Sequence, residues 1–119
     1  MPERVLVVDD SSFQRTLVRD ALSGAFDVVA EAKNGAEAVA MFEEYDPDAV
    51  SMDVVMPEMT GIEATAEIES RSPETAVVMC TSVDQKEKMM EAVKAGADGY
   101  VTKPVEADEL VAEFESQLR

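Results

Sequence analysis

The stretch RVLVVDDSS, residues 4–12, decides how the rest of the chain is read. Val5-Leu6-Val7-Val8 is an unbroken apolar run in which three residues are β-branched. Nothing polar alternates with them, so they predict a strand covered on both faces, as in a parallel sheet. The run ends in two adjacent carboxylates, Asp9 and Asp10. Two like charges at the end of a buried strand need a physical reason.

Working outward, apolar runs and helical patterns alternate along the chain. The predicted strands are Arg4–Val8, Val28–Glu31, Ala49–Met52, Ala76–Cys80 and Gly99–Val101. The first helix begins at Ser11 or Ser12, with Ser11-x-x-Gln14 as a capping box, and stops near Gly24. The second follows Asn34-Gly35, places Val39 and Phe42 on one face, and ends before Pro47. The third opens on Thr60-Gly-Ile-Glu63, another capping box, and runs to about Arg71. Its apolar positions Ile62, Ala64, Ala66 and Ile68 alternate like a strand, but alanine and glutamate content, cap and length favour a helix. The fourth spans Gln85–Ala95 before Gly96. The fifth carries Ala107, Leu110, Val111, Phe114 and Leu118 on one apolar face. Repeated strand–helix units of this kind imply parallel strands joined by right-handed crossovers, hence an α/β, doubly wound sheet with helices on both faces.

Composition narrows the function classes. The 119 residues are 46% hydrophobic, enough for one domain with a core. No apolar run approaches a membrane span, and the N-terminus lacks a signal-peptide pattern, so a cytoplasmic protein is expected. Cys80 is the only cysteine, which excludes an internal disulfide and predicts a buried strand thiol. The chain has no histidine, which excludes Ser-His-Asp and Cys-His hydrolases, His-ligated zinc enzymes and any protein phosphorylated on its own histidine. A net charge of −16 argues against nucleic acid as a partner. The acids are spread along the chain and lysines are few, which resembles proteins of high-salt cytoplasm, where self-repulsion is screened.

In an open parallel sheet, ligands bind beyond the carboxyl ends of the strands. Those ends here carry Asp9-Asp10, Asp53, Thr81-Ser82 and Lys103-Pro104, while the second strand's Glu31-Ala32-Lys33 offers nothing comparably specific. Two carboxylates about 4 Å apart repel by roughly 4 kcal/mol at an effective dielectric of about 20. Protons or a cation must therefore enter, and an all-oxygen set with few side chains suits Mg²⁺. Phosphoryl chemistry gives such a cation a purpose: a carboxylate attacks in line while a lysine and a hydroxyl hold the other oxygens. Singly, each residue has a plainer reading as a helix cap, a turn residue or a surface charge; together those plain readings are improbable.

The segments VLVVDDS, SMDVVMPEMTGIEA, VVMCTS and AGADGYVTKPV resemble the signature segments of response-regulator receiver domains of two-component signalling, in order and over nearly the full chain. Within that family the resemblance is strongest to stand-alone chemotaxis regulators, particularly those of archaea and deep-branching bacteria. It implies a flavodoxin-like (βα)5 fold with strand order 2-1-3-4-5, forming a single receiver domain without an output domain. It implies Asp53 as phosphoacceptor, Asp10 as a direct Mg²⁺ ligand, Asp9 acting largely through water, and the Val55 backbone carbonyl as a further ligand. Thr81 would hydrogen-bond the phosphoryl group, Lys103 would pair with it beside a cis bond to Pro104, and Tyr100 would be the aromatic switch. A histidine kinase of the chemotaxis type would be the phosphodonor. A motor-switch or adaptor protein would read the face of the fourth helix, fifth strand and fifth helix, where Met89, Met90 and Val93 could contribute. A monomer is expected, acting as a signalling switch whose only chemistry is on itself.

Val55 and Val83 stand where better-known members carry polar residues, and altered self-dephosphorylation is expected from them. Two other readings compete. A phosphorelay intermediate differs only in its partner. A Mg²⁺-dependent phosphatase of the haloacid dehalogenase type would carry a DxD nucleophile after the first strand, whereas here the acids are adjacent and the candidate nucleophile follows the third.

Overall fold

A computed structural model describes residues 3–54, 56, 59–81 and 86–118, with backbone alone for Thr81 and Lys86. The elements alternate throughout: β1 (Arg4–Val8), α1 (Ser12–Leu22), β2 (Asp27–Ala32), α2 (Gly35–Tyr45), β3 (Ala49–Asp53), α3 (Gly61–Arg71), β4 (Ala76–Thr81), α4 (Lys86–Ala95), β5 (Gly99–Thr102) and α5 (Ala107–Gln117). All strand pairs are parallel, and the sheet order is β2-β1-β3-β4-β5. The expected doubly wound, flavodoxin-like architecture is present; β1 has the expected bounds, β2 is two residues longer than expected, and β3, β4 and β5 are each one residue longer.

The period of two along β1 explains its lack of polar residues. Val5 and Val7 face a core with Val18 and Leu22 of α1 and Leu110 and Phe114 of α5. Leu6 and Val8 face the opposite core, with Phe42 of α2, Ile68 of α3 and Ala92 of α4. Both faces are therefore covered, and the same holds for β3, whose residues are all buried. The edge strands β2 and β5 are only partly covered.

Helix ends carry the expected punctuation, with one correction. Ser11 Oγ accepts the Gln14 backbone N–H at 3.3 Å, but the reciprocal half of that capping box is missing and Gln14 Oε1 is a buried acceptor without a protein partner among the described residues. The Thr60–Glu63 box is complete: Glu63 N–H donates to Thr60 Oγ1 at 3.2 Å and Thr60 N–H to Glu63 Oε1 at 3.0 Å. The conflict over α3 resolves as a helix because its buried stripe is Gly61, Ala64, Thr65 and Ile68, spaced by three and four. Thr65 belongs to the stripe because its hydroxyl is satisfied by the Gly61 carbonyl at 2.7 Å.

Candidate functional site at the carboxyl rim of the sheet

The strand order reverses between β1 and β3, and this opens a crevice at their carboxyl ends. Val8 pairs with Met52, so the next residues along, Asp9 and Asp53, emerge side by side. Both continue the face packed by α1 and α5, the face of Val7 and Ala49. They are 2% and 8% exposed, whereas Asp10 points to solvent. One carboxylate oxygen from each of Asp9, Asp10 and Asp53 lies within 4.8 Å of the others.

Lys103, just beyond β5, reaches into this group. Its Nζ donates to Asp9 Oδ2 at 3.0 Å and to Asp53 Oδ1 at 3.2 Å, and the Lys103–Pro104 peptide is cis. Burial works to lower the Lys103 pKa, but the Asp53 charge and then the hydrogen bond and charge of Asp9 outweigh it and raise it. The Asp53 carboxyl is pushed up to about 6, first by burial and then by the Asp9 charge, against the pull of Lys103. Among the described residues a single ammonium thus faces three carboxylates, and the site keeps an excess of negative charge. That excess and the all-oxygen donor set fit a hard divalent cation.

Asp9 is bound at every polar atom. Its N–H donates to the Ala32 carbonyl at 3.1 Å, its carbonyl accepts from Arg15 Nη1 at 2.8 Å, Oδ1 accepts the Ser11 N–H at 3.0 Å, and Oδ2 accepts from Lys103. Asp9 is therefore committed to holding its neighbours, and Asp10 presents the more open carboxylate.

The loop after Asp53 depends on a close approach. Gly61 N–H donates to the Val54 carbonyl at 2.9 Å, and a Cβ at Gly61 would lie 1.8 Å from the Asp53 carbonyl oxygen. Glycine is required there by space, and the resulting contact seats the start of α3 directly behind the Asp53 backbone. Cys80, paired in register with Asp53, is buried with its Sγ 3.3 Å from Ser51 Oγ, and burial pushes its thiol up to about 11. It is the inert strand thiol expected.

Asp9, Asp10, Asp53 and Lys103 are thus together. Thr81 ends β4 with its backbone paired to Thr102, while Val55, Ser82 and Val83 lie outside the described residues. Tyr100 sits apart on β5, 56% exposed, beside a groove of about 720 Å³ that Val93, Asp98 and Glu113 also line. Met90 and Val93 are likewise exposed, but Met89 packs partly into the core. Arg15 and Glu31 were not anticipated as part of the site. Their signal is a charge pair sixteen residues apart, recognisable only once α1 is laid against β2.

Among the described residues no helix is long and apolar enough to cross a membrane. Comparison with known proteins agrees with the geometry. Residues 5–115 match the model of the response regulator receiver domain. The chain is 57% identical over 104 residues to chemotaxis protein CheY of Halobacterium salinarum, covering 87% of each chain. It is 40% identical to chemotaxis protein CheY of Bacillus subtilis, covering 99% of each. The crystal structure of a CheX-CheY-BeF3-Mg²⁺ complex from Borrelia burgdorferi contains a chain 25% identical to it, with a TM-score of 0.90 over 98% of this chain and 89% of that one. The likeness to the Halobacterium protein accords with the acidic, lysine-poor composition of a high-salt protein. Neither the phosphorelay nor the phosphatase reading is favoured by these likenesses. The chain belongs to the response regulator receiver domain family and is a chemotaxis response regulator.

Proposed function

We propose that Asp53 is the phosphoacceptor and that its phosphorylation sets the signalling state of this regulator. The observation that carries the proposal is the pairing of Asp53 with Lys103 in a crevice where Asp9 and Asp10 supply further negative charge. Asp53 Oδ1 accepts from Lys103, and the other carboxylate oxygen is the nucleophile. It attacks phosphorus; an O–P bond forms, the P–N bond of a phosphohistidine breaks, and the leaving imidazole takes up a proton from solvent. A histidine kinase is the donor, and small phosphodonors serve in its place. Lys103 remains charged throughout, orienting the carboxylate before transfer and pairing with a phosphoryl oxygen after it. The Thr81 hydroxyl is assigned a second phosphoryl oxygen.

Asp9, Asp10 and Asp53, with the Val55 carbonyl, would hold Mg²⁺. When bound, that ion neutralises charge developing on the phosphoryl group. The complex of a Borrelia burgdorferi CheY relative that contains BeF3 and Mg²⁺ supports this assignment. The chain does to itself the chemistry an enzyme does to a substrate, and it acts in the cytoplasm as a monomer.

The switch is a shift between two arrangements of the segment after β4 and of Tyr100. Tyr100 is outward in this structure, which suits the unphosphorylated arrangement. The output partner, a motor-switch or adaptor protein, reads the α4-β5-α5 face. The test is intact mass after exposure to a small phosphodonor with and without Mg²⁺. Wild type gains one phosphoryl group only with Mg²⁺, and Asp53→Asn gains none; equal labelling of the variant contradicts the assignment.

A further inference from the structure

We propose that Arg15, anchored by Glu31, is a positioning residue that fixes the Asp9-Asp10 peptide for metal binding. The inference rests on the reading of Asp9, Asp10 and Asp53 as the Mg²⁺ site. Among the described residues no donor holds the Asp10 carboxylate, so its direction is set by the backbone on either side. That backbone is gripped at two points, one directly from β2 and one through α1. Ala32 of β2 accepts the Asp9 N–H at 3.1 Å, and Arg15 of α1 donates to the Asp9 carbonyl at 2.8 Å. The Arg15 guanidinium is itself oriented by Glu31 of β2, with Nε 3.3 Å from Glu31 Oε1. Arg19 Nη1 holds the other oxygen, Oε2, at 3.1 Å.

The two arginines have different roles around one carboxylate. Arg15 reaches both Glu31 and the carbonyl that joins Asp9 to Asp10, whereas Arg19 reaches Glu31 and the exposed Asp20. The planar guanidinium makes both of Arg15's contacts at once because its Nε and Nη1 donors point in fixed, diverging directions. Arg15 and Glu31 side chains are 20% and 31% exposed, so the tie is partly shielded from salt. The edge strand that lacks a ligand of its own thus acts on the site through this connection. Groups that orient metal ligands commonly change affinity by about 10–100-fold when removed.

The test measures Mg²⁺ affinity by calorimetry in wild type, Arg15→Met, Arg19→Met and Glu31→Gln, together with the backbone amide resonance of Ser11, whose N–H reports the Asp9 turn. Methionine keeps an apolar stem and removes the donors. Arg15→Met is expected to weaken Mg²⁺ about tenfold and to shift the Ser11 resonance before metal is added. Arg19→Met leaves both unchanged, because Arg19 makes no contact with the Asp9 backbone, whereas a purely structural loss at Glu31 would move the two arginine variants alike. Glu31→Gln falls between them and decides the matter if Arg15→Met does not fold. Wild-type affinity in Arg15→Met, or equal weakening in both arginine variants, overturns the positioning role alone. Failure of wild type to bind Mg²⁺ overturns the metal-site reading and this role with it.

Discussion

Replacing Asp53 by asparagine should make the metal-free protein more stable while abolishing its chemistry. The Asp53 carboxyl is raised from 3.8 to about 6, chiefly by burial and then by the charge of Asp9. The folded state therefore holds this proton more tightly than the unfolded chain. Unfolding free energy attributable to Asp53 is full below the unfolded value and falls as pH rises through the window from 3.8 to about 6. At roughly 1.4 kcal/mol per unit, the ionised carboxylate costs about 3 kcal/mol above that window. Asparagine cannot ionise and still offers Lys103 an acceptor oxygen. In metal-free buffer at neutral pH and constant ionic strength, Asp53→Asn is expected to exceed wild type by up to ~3 kcal/mol, about 10 °C in Tm for a domain of this size. Urea titrations across the acid range should show the gap shrinking toward zero near the unfolded pKa. Added Mg²⁺ should narrow it from the other side, by raising wild type more than the variant. A variant no more stable than wild type at neutral pH, or a gap indifferent to pH, would show that the buried Asp53 charge does not cost folding energy.

Three further outcomes follow from other contacts. Gly61→Ala forces a methyl against the Asp53 carbonyl oxygen and should destabilise by about 1–3 kcal/mol in urea, with slower labelling by a small phosphodonor. Phe114→Ala empties the centre of the α1/α5 core, where its ring lies 5.8 Å from that of Phe26, and should cost about 3–5 kcal/mol. It should leave the Mg²⁺ affinity of the folded protein intact. Polar replacements at both Val55 and Val83 should change the lifetime of the phosphorylated form, measured by loss of the label; an unchanged decay rate excludes a role for the apolar pair.

Much of the architecture was legible because burial on both faces leaves a plain mark. The strands β1, β3 and β4 read as apolar runs, and the acids and lysine at strand ends could be gathered on one rim before any geometry was known. The strand order was legible only through family resemblance, since spacing along the chain does not say which strands are neighbours. Elsewhere local satisfaction masked the pattern. Thr65 hides the buried stripe of α3 because its hydroxyl bonds within the helix. Gln14 fits a capping box by spacing, yet its side chain is not used for one. The tie from Glu31 through Arg15 to the Asp9 carbonyl was invisible because it joins a helix to an edge strand, and nothing local in either segment announces it. The demand for glycine at position 61 likewise comes from the approach of one loop to the Asp53 backbone.

The acyl phosphate on Asp53 can be located chemically. Wild-type protein labelled by a small phosphodonor in the presence of Mg²⁺ would be reduced with borohydride, which converts an aspartyl phosphate to homoserine, and then mapped by peptide mass spectrometry. Homoserine is expected at position 53 alone, dependent on both phosphodonor and Mg²⁺. Reduction at Asp9, Asp10 or elsewhere, with Asp53 unaltered, would contradict Asp53 as the phosphoacceptor.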